Sequence, residues 1–242
     1  MPRCYQTYLR ISTRAAIPVS RPPFLPKIRF NTPDLNADFP GTVASTLRAV
    51  CYHLLKNPAS LKKLISELTT AASQDRISSP SPTWTETQQQ LPYLCAVIKE
   101  GLRLNPALSL PLERVVPPEG LTLTHDDGTN TFLPGGTIVG INPWVLHRSP
   151  GIFGADAESW RPERWLSEQE QQTKSMEHTL LAFGAGKRSC LGKNIAMLEL
   201  HKLIAALFLR FDVELERPDS EWVVKNAWAL NQEGLLVRLS VR

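Results

Sequence analysis

The chain has 242 residues, 42% of them hydrophobic, which is enough for the core of one large domain or two small ones. Its net charge of +4 arises in residues 1–33, which carry six basic and no acidic residues, and the remainder has a net charge of −2. This near-neutral body has no basic stripe, so we expect no nucleic-acid partner. The four cysteines show no paired spacing, which excludes a disulfide scaffold and is typical of a reducing compartment.

The basic head, residues 1–40, is predicted to be irregular and disordered. Its Arg, Ser and Thr content is typical of a mitochondrial transit peptide, but its prolines would interrupt the amphipathic helix that such a peptide requires. No stretch of the chain approaches the roughly 20 apolar residues of a membrane-spanning helix, so we expect no transmembrane segment.

Three amphipathic helices are predicted after the head, over residues 41–56, 58–73 and 91–104. An Asn-Pro pair follows the first and the third of these segments and indicates where each helix ends. Residues 74–90 are polar and rich in Pro and Ser, which indicates a surface connection.

Short strands dominate the predictions for the second half. Residues 121–125 and 131–133 alternate in polarity around an Asp-Asp-Gly turn, which predicts a hairpin. The remaining expectations, in chain order, are a strand at 137–141, a long loop at 150–180, a helix over 192–209, and strands at 211–215 and 235–239. Helices followed by small sheets predict one mainly helical α+β domain over residues 41–242.

The most informative motif is FGAGKRSCLG, residues 183–192, which places a cysteine in a glycine-rich loop directly before a predicted helix. The backbone N–H groups and the positive dipole end of that helix would stabilise a thiolate at Cys190. The glycines let the backbone pass close to a flat, bulky partner, and Phe183 can pack beside the sulfur. These are the properties of a cysteine that ligates iron.

Two other interpretations of Cys190 remain open from the residues. A free cysteine is most often a small buried hydrophobe. It is alternatively a nucleophile paired with His147 or His178, although such a pair needs neither the arginine nor the three glycines of the loop.

The loop resembles the haem-binding signature of cytochrome P450 monooxygenases, Phe-x-x-Gly-x-Arg-x-Cys-x-Gly. Every fixed position is filled, by Phe183, Gly186, Arg188, Cys190 and Gly192. The resemblance implies that these residues bind haem b (iron protoporphyrin IX), with Cys190 as the axial ligand of the iron. In that family the thiolate donates electron density to the iron and favours O–O cleavage.

A second motif is the pair Glu100 and Arg103, three residues apart on one face of a predicted helix. Such a pair alone is commonly an exposed ion pair, but this helix is otherwise apolar. The resemblance implies that both join Arg164, from the WRPERW segment at 160–165, in a buried structural triad that holds the core around the haem.

The resemblance also assigns cationic partners to the haem propionates, namely Arg188 in the loop and Arg114 in the segment Leu112-Glu113-Arg114. Arg114 is alternatively an ordinary cation at a strand edge. His147 is expected to be a packed, hydrogen-bonded histidine rather than an iron ligand. Segments 107–111 and 228–232 correspond to family segments that line the substrate pocket.

Thr42 aligns with the hydroxyl that relays protons to oxygen in the family, and an N-cap is the other interpretation of this residue. The family carries an acid immediately before that hydroxyl, whereas this chain has Gly41. Pro40 would end the oxygen-binding helix one turn early.

The resemblance spans residues 41–240 and is closest to fungal members, which are about twice as long. It implies a truncated haem-thiolate monooxygenase that inserts one atom of O2 into a small apolar organic substrate. A reductase would deliver electrons from NADPH, and Lys187 and Lys193 are candidates to face it. The resemblance implies residence on the endoplasmic reticulum membrane, and we expect the family's membrane anchor to be missing from this sequence. The alternatives are a non-catalytic haem-binding remnant and a thiol hydrolase that uses Cys190.

Overall fold

The computed structural model describes residues 28–29, 41–125, 127–227 and 229–242. These residues form α-helices and short antiparallel strands. The helices are α1 (Thr42–Lys56), α2 (Pro58–Ser73), α3 (Trp84–Gln90), α4 (Pro92–Leu104), α5 (Pro143–Leu146), α6 (Pro150–Phe153), α7 (Glu170–Thr179) and α8 (Lys193–Arg210). The strands are β1 (Ile28–Arg29), β2 (Leu112–Val115), β3 (Leu121–Thr124), β4 (Asn130–Leu133), β5 (Ile138–Ile141), β6 (Phe211–Leu215), β7 (Val223–Ala227), β8 (Ala229–Glu233) and β9 (Leu236–Val241). This is the mainly helical α+β fold that the sequence predicts.

The main core lies between α1, α2, α4 and α8. On α2 the fully buried Leu64, Leu68 and Ala71 are spaced i, i+4, i+7, so one face of the helix packs inwards. Helix α4 is central, because it contacts α1, α2, α3 and α8 as well as the 3₁₀ helix Pro162–Leu166. In the described part of the chain, none of the helices is long and apolar enough to cross a membrane.

A three-stranded antiparallel sheet covers one side of this core, with strand order β1-β9-β6. Val213 lies opposite Leu239, and both are buried, so this face of the sheet packs on the helices. Strand β1 lies within the head that the sequence predicts to be irregular, and its Ile28 pairs with Val237. The predicted disorder of the rest of residues 1–40 falls outside the described residues.

The other strands form three two-stranded antiparallel pairs, β2–β5, β3–β4 and β7–β8. The predicted hairpin is confirmed as β3–β4, with Gly128 at a positive φ of 79° in its turn. The predicted strands that became β5, β6 and β9 are also confirmed. The hairpin β7–β8 is an addition to the predicted elements.

Two predicted connections contain more structure than expected. Residues 74–90 include α3, whose first turn is a capping box: the Thr83 hydroxyl accepts a hydrogen bond from the Glu86 N–H, and the Glu86 carboxylate accepts one from the Thr83 N–H. The prediction of one long loop at 150–180 is wrong, since α6, the 3₁₀ helix and α7 lie there. These elements are short, and side chains from elsewhere in the fold hold them in place.

Helices α1 and α4 cross with almost no space between them at Gly101. A Cβ atom at this position would lie 2.4 Å from Cγ2 of Val50, which is inside contact distance. Gly101 therefore allows the close approach of the two helices that carry Thr42 and Glu100.

We expect Gly101→Ala to lower the free energy of unfolding by about 1–3 kcal/mol, because the new methyl group overpacks the interface. Val50→Ala should restore part of this loss in the double variant. Gly151→Ala is the control, since its Cβ would meet nothing closer than Ser149 Oγ at 3.9 Å. Equal denaturation midpoints for the Gly101 and Gly151 variants in urea would contradict this packing.

Candidate active site

The carboxylate of Glu100 lies at the centre of a buried network and is 0% exposed. It accepts five hydrogen bonds: from Nε and Nη2 of Arg103 at 2.9 and 2.8 Å, Nε of Arg164 at 3.0 Å, Nε1 of Trp165 at 2.9 Å and the backbone N–H of Arg161 at 2.9 Å. The structure thus brings Glu100, Arg103 and Arg164 together. Because each buried charge is paired and hydrogen-bonded, its burial is tolerated.

The two guanidinium groups use their remaining N–H groups on backbone carbonyls. Arg103 donates to the carbonyl oxygens of His147, Ala157 and Ser159. Arg164 donates to those of Phe153, Asp156 and Ser159. The planar fork of arginine suits this arrangement, since one side chain can serve a carboxylate and several carbonyls at once. The network fixes the irregular backbone between α5 and the 3₁₀ helix.

Trp165 and Asp156 complete the network and were absent from the sequence prediction. The Asp156 carboxylate lies 3.3 Å from Nη1 of Arg164 and forms a second ion pair at its edge. Trp165 directly follows Arg164 in the WRPERW segment, so its position beside the motif was a usable signal.

His147 is fully buried beside this network, as expected for a packed histidine. Its Nδ1 lies 3.0 Å from the carbonyl oxygen of Arg103, and its Nε2 accepts the backbone N–H of Leu181 at 2.8 Å. Burial lowers the pKa of His147 to about 4. With both nitrogens engaged, the imidazole is not available as a base for Cys190.

Backbone hydrogen bonds and two left-handed glycines shape the cysteine loop. The N–H of Gly184 donates to the carbonyl of Leu181 at 2.9 Å, and the N–H of Cys190 donates to that of Phe183 at 2.8 Å. Gly184 and Gly186 have φ values of 67° and 64°, which glycine adopts without strain. The loop therefore doubles back and brings Cys190 beside Phe183.

Cys190 lies just before α8, for which Gly192 is the N-cap. A Cβ atom at Gly192 would lie 3.8 Å from the Cys190 sulfur, so the sulfur packs beside the N-cap residue of the helix. Phe183 is partly buried, and the ammonium group of Lys193 lies 5.9 Å from its ring centroid.

Two alternatives for Cys190 find no support in this geometry. The side chain is exposed, unlike that of a cysteine that serves as a buried hydrophobe. Within the described ranges, no histidine is hydrogen-bonded to Cys190; His147 is engaged elsewhere, and His178 is exposed on α7.

Arg188 and Arg114 are both exposed, and neither forms an ion pair with any described residue. Arg114 lies on β2, where its guanidinium donates to the Glu113 carbonyl at 2.7 Å. Residues two apart on a strand share a face, so Arg114 is on the same face as Leu112. A Cβ atom at Gly184 would lie 4.0 Å from Cδ1 of Leu112, which places this face of β2 against the cysteine loop.

The two segments predicted to line the substrate pocket meet in the structure. The N–H of Leu230 donates to the carbonyl of Ala107 at 3.0 Å, and Leu108 pairs with Ala229. Trp228, at the start of the second segment, falls outside the described residues. The Ser45 hydroxyl of α1 lies 3.5 Å from the Leu230 carbonyl, so α1 borders the same region.

The structure places Thr42 at the first position of α1, where its side chain is exposed. The interpretation of Thr42 as the N-cap is wrong, because Gly41 occupies that position. The Thr42 hydroxyl therefore has no capping role.

Removing one member of the buried network should destabilise the fold strongly, because it leaves an uncompensated buried charge. We expect Glu100→Ala, Arg103→Ala and Arg164→Ala each to cost about 3–5 kcal/mol of unfolding free energy, measured by chemical denaturation. Lys174→Ala is the control, since its ion pair with Glu170 is exposed and should contribute little. Similar losses for the exposed and the buried pairs would refute the assigned role.

Stability should also depend on two histidines, the fully buried His147 and the partly buried His53. Burial lowers the pKa of His53 and of His147 from 6.5 to about 4, so below pH 6.5 the unfolded chain binds protons that the folded chain does not. We expect the unfolding free energy to fall as the pH decreases from 6.5 to 5, by about 1.4 kcal/mol per pH unit for each histidine near the lower end. Urea denaturation at pH 7, 6 and 5 measures this; an unfolding free energy that stays constant would contradict it.

Comparison with known proteins identifies the family of this chain. The model of the family described as Cytochrome P450 matches residues 27–238. A cytochrome P450 monooxygenase of Emericella nidulans, cicH, is 48% identical over 83% of this chain and 39% of its own length. A cytochrome P450 monooxygenase of Aspergillus flavus is 46% identical over 83% of this chain and 38% of its own length. The monooxygenase mpaDE of Penicillium roqueforti is 45% identical over 80% of this chain and 22% of its own length.

The chain therefore spans about two fifths or less of the length of these relatives. All three are fungal, in agreement with the fungal character expected from the sequence. Together with the family match over most of the described residues, these identities show that the chain belongs to the cytochrome P450 family.

Proposed function

We propose that this chain carries the cysteine half of a haem-thiolate monooxygenase site, with Cys190 as the axial ligand of the iron of haem b. The observation that carries the proposal is the exposed cysteine at the N-terminus of α8, held by a loop in which Gly184 and Gly186 adopt left-handed conformations. The family match supports it, since haem-thiolate chemistry is the chemistry of cytochromes P450.

The residues around Cys190 fit such a cofactor. Haem has an apolar ring and two anionic propionates, and the surface around the loop has apolar side chains for the ring and cationic side chains for the propionates. Leu191 is fully exposed and Ile195 on α8 is 64% exposed. Exposed large apolar side chains beside the cysteine are typical of a surface that another group covers.

Arg188 and Arg114 are the proposed propionate partners. Both guanidinium groups are exposed and form no ion pair in the described part of the chain, so they can form charge-assisted hydrogen bonds with carboxylates. The contact of the β2 face with Gly184 supports a position of Arg114 on the cofactor side.

When bound, thiolate-ligated haem supplies the activation of O2, of which one atom enters the substrate and the other is reduced to water with electrons from NADPH. The chain's own residues would hold and orient the haem. Cys190, which lies just before α8, would supply the sulfur ligand. Gly186 would let the backbone pass close to the ring, and Phe183 would pack beside the sulfur.

Thr42 is the proposed hydroxyl for proton delivery, since it is exposed and free of a capping role. Gly41 supplies no carboxyl group beside it, so a proton would have to reach Thr42 from water or from another residue. The paired segments around Ala107 and Leu230 are proposed to border the substrate, a small apolar organic molecule.

The electron donor is proposed to be an NADPH-dependent reductase. Lys187 and Lys193 are exposed on either side of Cys190 and could pair with acidic residues of such a partner. Association with the endoplasmic reticulum membrane follows from the family resemblance alone.

A second candidate is a chain that binds haem without productive turnover. Gly41 in place of an acid and the exposure of Cys190 and Ile195 favour it, because an accessible site admits water. With a reductase and NADPH, this candidate releases peroxide, whereas the monooxygenase couples NADPH consumption to product.

Cys190→Ala is the direct test of the ligand. After addition of haem, reduction and exposure to CO, the unaltered chain should show the strongly red-shifted Soret band of thiolate ligation, and the variant should lose it because alanine provides no sulfur. Cys95→Ala is the matched control, since Cys95 is a free, partly buried cysteine on α4. A red-shifted band that survives in Cys190→Ala, or disappears in Cys95→Ala, would reject the assignment.

A further inference from the structure

We infer that His147 is a positioning residue for the cysteine loop, which it fastens to the Glu100–Arg103 network through the backbone N–H of Leu181. The inference rests on the proposed role of Cys190 as iron ligand. It assigns to His147, whose side chain is fully buried, a share in setting the geometry of the sulfur.

The two contacts of the imidazole define its protonation. Leu181 N–H donates to Nε2 at 2.8 Å, so Nε2 carries a lone pair and no proton. The proton is therefore on Nδ1, which donates to the carbonyl oxygen of Arg103 at 3.0 Å. The ring is neutral, and it joins the last turn of α4 to the residue two positions before Phe183.

A second contact holds the ring in place. The guanidinium of Arg103 donates to the backbone carbonyl of His147 at 2.8 Å, while the Arg103 carbonyl accepts from the His147 ring. Arg103 and His147 are thus tied in both directions. The ring of Phe153 packs edge-on against the imidazole, with centroids 6.3 Å apart, and limits its rotation.

From Leu181 the connection continues along the backbone of the loop. The Leu181 carbonyl accepts the N–H of Gly184, and the Phe183 carbonyl accepts the N–H of Cys190. Residues 185–191 are all exposed, so few buried contacts of their own fix the loop. The hydrogen bond from His147 is made to Leu181, just before the chain becomes fully exposed in the loop. A contact at this position restricts the motion of the loop most.

The groups that face His147 from other elements favour its neutral form. Burial lowers the pKa of His147 most, and the positive charges of Arg103 and Arg148 also disfavour a second proton on the ring, whereas the hydrogen bond to the Arg103 carbonyl opposes this shift. Arg148 is itself held by the Leu104 carbonyl and by Glu158. At neutral pH, Nε2 of His147 therefore carries no proton and accepts the N–H of Leu181.

Two amide substitutions separate the two contacts of the ring. The amide of His147→Gln reaches the position of Nε2 and can still accept from Leu181, whereas the shorter amide of His147→Asn reaches the position of Nδ1 and contacts only Arg103. His53→Asn is the control, because His53 is a partly buried histidine whose Nε2 bonds Asn105 and does not contact the loop.

Two measurements follow. Amide hydrogen exchange at Leu181 should be about tenfold faster in His147→Asn than in the unaltered chain, and near the unaltered rate in His147→Gln. In the haem-loaded proteins, His147→Asn should convert part of the red-shifted CO band to the thiol-type band, and His147→Gln should preserve it. His53→Asn should lower the denaturation midpoint without changing the ratio of the two bands.

An unchanged band ratio and unchanged exchange in His147→Asn, or an equal shift in His53→Asn, would overturn the inference. A red-shifted band missing from the unaltered chain would instead overturn the role of Cys190, which separates the two failures. If His147→Asn does not fold, the ¹⁵N–¹⁵N coupling between the Leu181 amide and Nε2 decides in the unaltered chain. Its presence is expected, and its absence contradicts the tether.

Discussion

The dehydrated carboxylate of Glu100 is the constraint on which the rest of this structure depends. A carboxylate without water is costly unless every lone pair finds a donor, and Glu100 finds five. Those donors come from α4 itself and from residues 161–165, which are some 60 positions away in sequence. Satisfying one charge therefore fixes where a distant and irregular segment must lie.

The same arrangement connects the core to the surface. Arg103 carries the network from Glu100 to His147, and His147 carries it to Leu181, at the base of the cysteine loop. The apolar core lies between α1, α2, α4 and α8, behind this loop, whereas the side that bears Cys190 exposes apolar and cationic residues. The chain is therefore densely packed in its helical core and exposed around the cysteine.

The sequence predicted best what local patterns determine. The heptad-like leucines of α2 gave a helix with the observed bounds, and the alternation around Gly128 gave the β3–β4 hairpin. The FGAGKRSCLG motif indicated a loop before α8, because glycine spacing and helix periodicity are both local.

Prediction from the sequence failed where residues far apart in the chain determine the local structure. Arg164 and Trp165, which bind Glu100, lie in a 3₁₀ helix over residues 162–166. The resemblance implied that Arg164 binds Glu100, but no local pattern in the segment predicted the helix. The tether from His147 to Leu181 was likewise invisible, since its residues are 34 apart. Helix α3 is different: its capping box at Thr83 and Glu86 is a local signal that the polar composition of the segment obscured.

The buried network supports a loop whose cysteine sulfur is proposed to ligate haem iron. Iron K-edge X-ray absorption of the haem-loaded chain tests this claim most directly, because it reports the atoms bonded to the metal. We expect one sulfur among the ligands in the unaltered chain and none in Cys190→Ala. A first coordination shell of only nitrogen and oxygen in the unaltered chain would contradict the account.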